Sequence, residues 1–520
     1  MLNRLGKLSR GKYFWPFLVI VSVNLFAFQN CGKAPRAQRD YSSTAASFDS
    51  TEYKEKQIII RMKDAASNTS LSEFAATHSL KLENNWPDSL MSHWSWEGPN
   101  SVEQLKAVLD LSSMKPSIVY AEPNYFYYEA INYTLNDVLN LPLAAQTLTT
   151  VNIQQSELWS SLTPGKTKPI IAVIDTGINT THDVFTASGA LWVNAGEVPG
   201  DGVDNDGNGY IDDVNGFNFR DKNSNITDLG GHGTHVAGTI LGVGQNIFKP
   251  TANIDQAKIK IMTLKFIGQD GSGTTSDAIN AINYAVKNGA RVISNSWGGP
   301  SQSKALEDAV AIAYDNEVVF VAAAGNTASN IDSAPVYPAS IRIPNVISVA
   351  ATNASDRLAN FSNYGTGSVS LGAPGERILS TYPNNVFSYL SGTSMATPFV
   401  AGTAILQIYE RPELLSYQLK NIILKKSNPA SALVGKLENA VRLNPNASVQ
   451  EAKVVALSNE HPAFKSNLSS ASASEEQAKK GACGLISKVG NQGQPSKPPW
   501  ILVFLFFIPM ALALKLRIRV

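Results

Sequence analysis

The sequence predicts an α/β protein: helices on both faces of a mostly parallel central sheet, three layers in all, preceded by a small α+β domain. Three observations predict it. Residues 169–174 and 318–324 are uninterrupted apolar runs. Strands buried on both faces read this way, and parallel sheets bury both faces. Between such runs lie segments of helical spacing, 276–288 and 303–316, and strands alternating with helices pair in parallel. Ahead of them, within residues 56–129, strand, helix, strand, helix and strand follow in close succession.

In this N-terminal stretch, residues 57–62 read as a strand and 118–124 as the closing strand. A helix is expected over 71–80, with Leu71, Phe74, Ala75 and His78 on one face. A second is expected over 101–111, where Val102, Leu105, Val108 and Leu109 keep helical spacing. The larger domain is expected to run over 150–445, with a linker over 446–499.

A chain of 520 residues exceeds one ordinary core. With 43% hydrophobic and 16% charged residues it is globular in composition. A net charge of +1 gives no footing for nucleic acid or an acidic partner. The two cysteines, Cys31 and Cys483, fall outside the expected core, which therefore holds no disulfide.

The two ends differ from the rest. Arg4, Lys7, Arg10 and Lys12 precede a 16-residue apolar stretch, 13–28, of signal-peptide length. Residues 1–31 are thus an export signal, and Cys31 directly after it suggests a lipoprotein, although Gln29 and Asn30 are larger than the usual small residues there. Simple cleaved export and an uncleaved anchor stay open. Residues 32–55 and 446–499 are linkers, the second rich in Ser, Ala, Lys, Gln, Gly and Pro from 469 onward. Residues 500–514 are apolar and Lys515, Arg517 and Arg519 follow. This reads either as a sorting signal with Cys483 near its processing site or as a tail anchor. The expected location is a bacterial cell envelope or surface, with membrane association.

Three segments carry the chemistry: Ile174-Asp175-Thr176-Gly177, Gly231-His232-Gly233-Thr234-His235 and Gly392-Thr393-Ser394-Met395-Ala396-Thr397-Pro398. Serine is a poor nucleophile without an adjacent base. Imidazole titrates near neutrality, and a buried carboxylate can fix its tautomer. Asp175 ends an apolar strand, where sites form in open α/β sheets, and His232 and Ser394 each open a helical stretch. In this order and setting the segments resemble the subtilisin-like serine peptidases (subtilases).

The resemblance implies a subtilisin-like fold in which Ser394 is the nucleophile, His232 the general base and Asp175 the orienting acid. It implies that Asn326, after the strand 318–324, donates to the oxyanion beside the backbone N–H of Ser394. Residues 292–299 resemble the strand that pairs with substrate, with Ser296, Trp297, Gly298, Ala324 and Gly325 around the specificity pocket. Val336 lies near the pocket floor by the same likeness and favours modest side chains. His235 and His182 read as structural. Residues 56–129 resemble an inhibitory propeptide that assists folding, lays its tail in the substrate groove and is cut between Tyr125 and Leu148. The bland alternative is a separate binding domain.

One loop clusters hard oxygen ligands: Asp204, Asp206, Asn208, Tyr210 through its carbonyl, and Asp212. The spacing matches the start of an EF-hand, but Asn215 stands where a bidentate Glu belongs, so an EF-hand is rejected. Structural calcium, common in the family, and a solvated acidic turn held by Asx bonds both remain open. No catalytic metal is implied. The reading is an exported serine endopeptidase made as a zymogen, with polypeptide substrates and its own propeptide as partners. A narrow-specificity processing peptidase and an inactive binding module on the same scaffold are the rivals.

Overall fold

In the computed structural model the described residues are 53–99, 101–130, 158, 161–244 and 257–457. The expected export signal, residues 131–157, both cysteines and the C-terminal apolar segment lie outside them. Among the described residues no helix is long and apolar enough to cross a membrane.

The N-terminal unit is β1 (Tyr53–Met62), α1 (Asn68–Thr77), β2 (Leu80–Trp86), β3 (Met91–Trp96), α2 (Val102–Leu111) and β4 (Ile118–Glu129). Its sheet is antiparallel in the order β4-β1-β3-β2, the split βαββαβ arrangement. Strand side chains alternate between faces. Accordingly Ile58, Ile60 and Met62 meet Leu71, Phe74, Leu105 and Leu109 of the two helices. Ile59, with Trp86 and Met91, faces the larger domain instead.

Two expectations here need correction. The first helix ends at Thr77, not Leu80: Ser79 takes a left-handed φ of 55° and Leu80 opens β2. The space between the helices holds a hairpin of two strands rather than one strand. β2 is mostly exposed and its Leu-Lys-Leu-Glu-Asn-Asn-Trp sequence gives little apolar signal. The second helix forms as expected, its start closed by a capping box between Ser101 and Gln104.

The larger domain contributes β5 (Ile170–Asp175), α3 (Asp183–Ser188), β6 (Gly216–Asn218), α4 (His232–Gly244), β7 (Lys260–Lys265), β8 (Ser272–Thr274), α5 (Thr275–Lys287), β9 (Ala290–Asn295), β10 (Trp297–Gly298), α6 (Lys304–Asp315), β11 (Val319–Ala323), β12 (Val346–Thr352), β13 (Leu371–Pro374), β14 (Ile378–Tyr382), β15 (Val386–Leu390), α7 (Thr393–Glu410), α8 (Ser416–Lys426), β16 (Asn428–Pro429), β17 (Val441–Arg442) and α9 (Pro445–Val454). The central sheet runs β16-β17-β13-β12-β11-β9-β5-β7-β6, parallel throughout except for β16 against β17. Ile171 and Val173 of β5 pack on one face with α4 and α7. Ala172 and Ile174 pack on the other with α5 and α6. These are the three expected layers.

The chain order turns back at β5, whose neighbours are β7 on one side and β9 on the other. Such a reversal opens a crevice at the C-terminal strand ends, and Asp175 stands there. At the far end, the linker expected from 446 starts later. Pro445–Val454 is a helix capped by Asn444, with Val449 and Ala452 buried in the core that holds α7. The i, i+3 apolar pair and the Asn-Pro start are its sequence signal.

Candidate active site

Asp175 ends β5 and His232 begins α4, so two separate elements deliver the pair. His232 Nδ1 lies 2.6 Å from Asp175 Oδ1, which also accepts the Thr176 N–H at 2.7 Å. The neighbouring glycine is what lets α4 come this close. A Cβ on Gly233 would stand 2.1 Å from the Gly177 carbonyl. Both partners are fully buried. Burial disfavours the imidazolium, but the Asp175 carboxylate outweighs it with smaller help from Glu129 and Asp228, and the ring is held above its ordinary value. His235, also buried, is pushed down to about 3 by desolvation and faces the Ile378 and Ser388 carbonyls at 2.9 and 3.1 Å. His182 faces the Val386 carbonyl at 3.0 Å. Both take the structural places expected of them.

Ser394 is the second residue of α7. Its Oγ lies 2.9 Å from the Ser296 carbonyl and in close contact with the carbonyl of Ala130, the residue after β4. A bond from Ser394 to His232 is not made, and among the described residues His232 Nε2 is buried without a hydrogen-bond partner. The Ala130 oxygen also accepts the Ser394 backbone N–H at 3.3 Å and Asn326 Nδ2 at 2.5 Å. Asn326 is oriented by its own Oδ1, which accepts Thr393 N and Thr393 Oγ1 at 2.9 and 3.0 Å.

Ala130 arrives there because β4 continues beyond its own sheet. Phe126 to Tyr128 pair antiparallel with β8, and Tyr128 and Glu129 pair with β10. The Ala130 N–H then donates to the Ser296 carbonyl at 3.0 Å. Of the expected pairing segment only Ser296, Trp297 and Gly298 serve this strand, since 292–295 belong to β9 in the central sheet. Gly298 and Gly325 both face Val336: a Cβ on Gly298 would lie 2.9 Å from Val336 Cγ1, and one on Gly325 3.7 Å from it. The Trp297 ring serves a different neighbour. It packs edge-on against fully buried Tyr127 at 5.3 Å, with Phe266 behind it at 4.8 Å. Sequence reading did not single out Ala130, Tyr127 or β8. Only long-range pairing defines them.

The acidic loop is arranged otherwise than its spacing suggests. Asp206 converges with Glu197 and Asp213, their oxygens within 4.8 Å of one another. Asn194 and Asn208 bridge Asp206 and Asp213 through their amides. Asp204 instead accepts the N–H groups of Asn208 and Gly209, and Asp212 those of Gly200 and Gly202. The Tyr210 ring packs on Phe217, Phe219 and Tyr284.

Acyl transfer at a carbonyl placed like that of Ala130 is the chemistry that uses all these groups together, the chemistry of a serine hydrolase. Comparison with known proteins narrows the class. The pattern of the subtilase family, Peptidase_S8, matches residues 166–476. A thermophilic serine proteinase of Bacillus sp. (strain AK1) is 37% identical over 306 residues, 59% of this chain and 67% of that protein. Subtilisin DY of Bacillus licheniformis is 40% identical over 210 residues, 40% of this chain and 74% of that protein. Among solved structures, fervidolysin from Fervidobacterium pennivorans, a keratinolytic enzyme related to subtilisin, superposes with a TM-score of 0.58 at 23% identity. That likeness concerns the fold, and it covers 77% of this chain and 61% of that one. This chain belongs to the subtilase family and is a serine endopeptidase.

Proposed function

We propose that the chain is the self-cleaving precursor of an exported endopeptidase, that residues 53–130 are its inhibitory propeptide, and that the bond cut is Ala130–Ile131. The seat of Ala130 carries this reading: its carbonyl oxygen takes Asn326 Nδ2 and the Ser394 N–H while Ser394 Oγ stands against it. Ser394 Oγ attacks the Ala130 carbonyl carbon and His232 Nε2 takes its proton. Asp175 holds the imidazolium. The negative oxygen that forms sits between two donors already aimed at it. His232 then returns the proton to the Ile131 nitrogen as the C–N bond breaks, leaving an acyl-enzyme for water to release. The complete set of groups, Asn326 included, favours an enzyme over an inactive binding module. The fit around Tyr127 and the cover of Val336 favour a narrow substrate range, with a small residue at the cut and an aromatic one three residues before it.

Structural calcium belongs to the same reading, at Glu197, Asp206 and Asp213. Three hard carboxylates converge there, and no lysine or arginine pairs with them among the described residues. Export and membrane attachment rest on the terminal sequence patterns alone. The test is the intact mass of residues 42–499, wild type beside Ser394→Ala. Wild type is expected to split with Ile131 as the new N-terminus, and the variant to stay whole. A folded wild type that stays whole, or one cut elsewhere, overturns the proposal.

A further inference from the structure

We infer that Asp228 is a positioning residue for the Asp175–His232 pair, acting with Lys265 to lock the end of β5 to the start of α4. This rests on the Asp175–His232–Ser394 assignment above and goes beyond it. Asp228 lies four residues before His232 and is buried. Its carboxylate accepts five hydrogen bonds. Oδ1 takes Thr176 Oγ1 at 3.0 Å, Gly230 N at 3.1 Å and Gly231 N at 2.8 Å. Oδ2 takes Thr234 N at 2.8 Å and Thr234 Oγ1 at 2.6 Å.

These donors stand on both sides of the pair. Thr176 follows Asp175, while Gly231 and Thr234 flank His232. Thr176 Oγ1 in turn accepts the Gly233 N–H at 2.9 Å, closing a ring between the two segments. Lys265, at the end of β7, repeats the link from below: its ammonium donates to the Thr176 carbonyl and to the Thr227 carbonyl at 3.2 Å. A plain helix cap would need only the Gly231 and Thr234 contacts. The bond to Thr176, just past the end of β5, and the lysine tied to the same two segments exceed that need.

The charges around His232 are Asp175, Glu129, Asp228 and the neighbouring His235. Lys265 sits among Asp228, Asp221 and Asp175. Removing the Asp228 charge therefore takes away one anion that favours the imidazolium.

The experiment compares self-cleaved wild type with Asp228→Asn and Thr176→Val, active sites counted by fluorophosphonate labelling. For Asp228→Asn the expected result is a ten- to hundredfold lower kcat per labelled site and KM within about twofold. The acid limb of kcat/KM should move to lower pH. Thr176→Val, nearly isosteric, should lower kcat several-fold with KM unchanged, and it decides the matter where Asp228→Asn does not fold. A change in melting temperature alone, with kcat per site and the acid limb as in wild type, overturns the proposal. A wild type that takes no label at Ser394 overturns the underlying assignment instead.

Discussion

Glu122, on β4, ties the N-terminal unit to the larger domain, and under the proposed inhibitory role it should make docking depend on pH. Its Oε1 accepts Ser303 Oγ at 2.6 Å and Ala305 N at 3.2 Å, and its Oε2 accepts Lys304 N at 2.9 Å. It thus closes the start of α6 from the other domain, where a negative charge is favoured. Burial nevertheless dominates those bonds and, with Asp308 nearby, pushes the carboxyl from 4.5 up to about 7. The raised value means that the docked state holds a proton the undocked state releases. The contribution to docking is complete below pH 4.5, falls as pH rises toward 7, and is flat above. The shift corresponds to about 3 kcal/mol, or on the order of a hundredfold in the dissociation constant. Asp308 with Arg61 and Tyr120, Asp277, and His232 also titrate or pair at this interface. Glu122→Gln subtracts the Glu122 part alone. The assay dilutes self-cleaved complex at pH 5, 6, 7 and 8 and reads freed peptidase activity at one common pH. Wild type should lose inhibition toward pH 8 by about two orders of magnitude more than Glu122→Gln does. The same pH dependence in both would refute the reasoning.

Two further outcomes are expected. Val336→Ala should raise kcat/KM for a substrate with Phe at the cut, relative to Ala, by about tenfold, since one or two methyl groups in such a pocket are worth about 1–3 kcal/mol; an unchanged ratio in cleavage profiling removes Val336 as a determinant. Calcium added after EDTA should raise the melting temperature by several degrees, and Asp213→Asn should abolish that rise, while a wild type indifferent to calcium excludes the site at Glu197, Asp206 and Asp213.

Much of the site was legible because its parts carry local signatures. Gly233 follows His232 since nothing larger fits beneath the Gly177 carbonyl, and Asn326 closes a fully apolar strand that announces itself. The three-layer sheet was legible for the same reason, its strands being apolar on both faces. What could not be read depends on distant chain segments. The metal-site spacing suggested Asp204 and Asp212, yet neither converges with Asp206, whereas Glu197 and Asp213, outside the alternate-residue pattern, do. β2 is hard to read because its alternation of Leu80 and Leu82 breaks at polar Asn84 before Trp86. Ala130 has no chemistry of its own, and only the register of β4 against β8 and β10 gives it a role.

Under the proposed cut at Ala130–Ile131, that register also governs timing. While Ala130 is still bonded to Ile131, the end of β4 is held in the groove by the chain itself, at an effective concentration that dilution cannot change. Once the bond is cut, the same contacts become an ordinary two-body association. Inhibition then scales with how crowded the fragments are. If the proposed cut occurs, a strand that belongs to two domains turns one broken bond into a sensor of volume: enzyme packed at its origin would stay silent, and enzyme that has spread would become active.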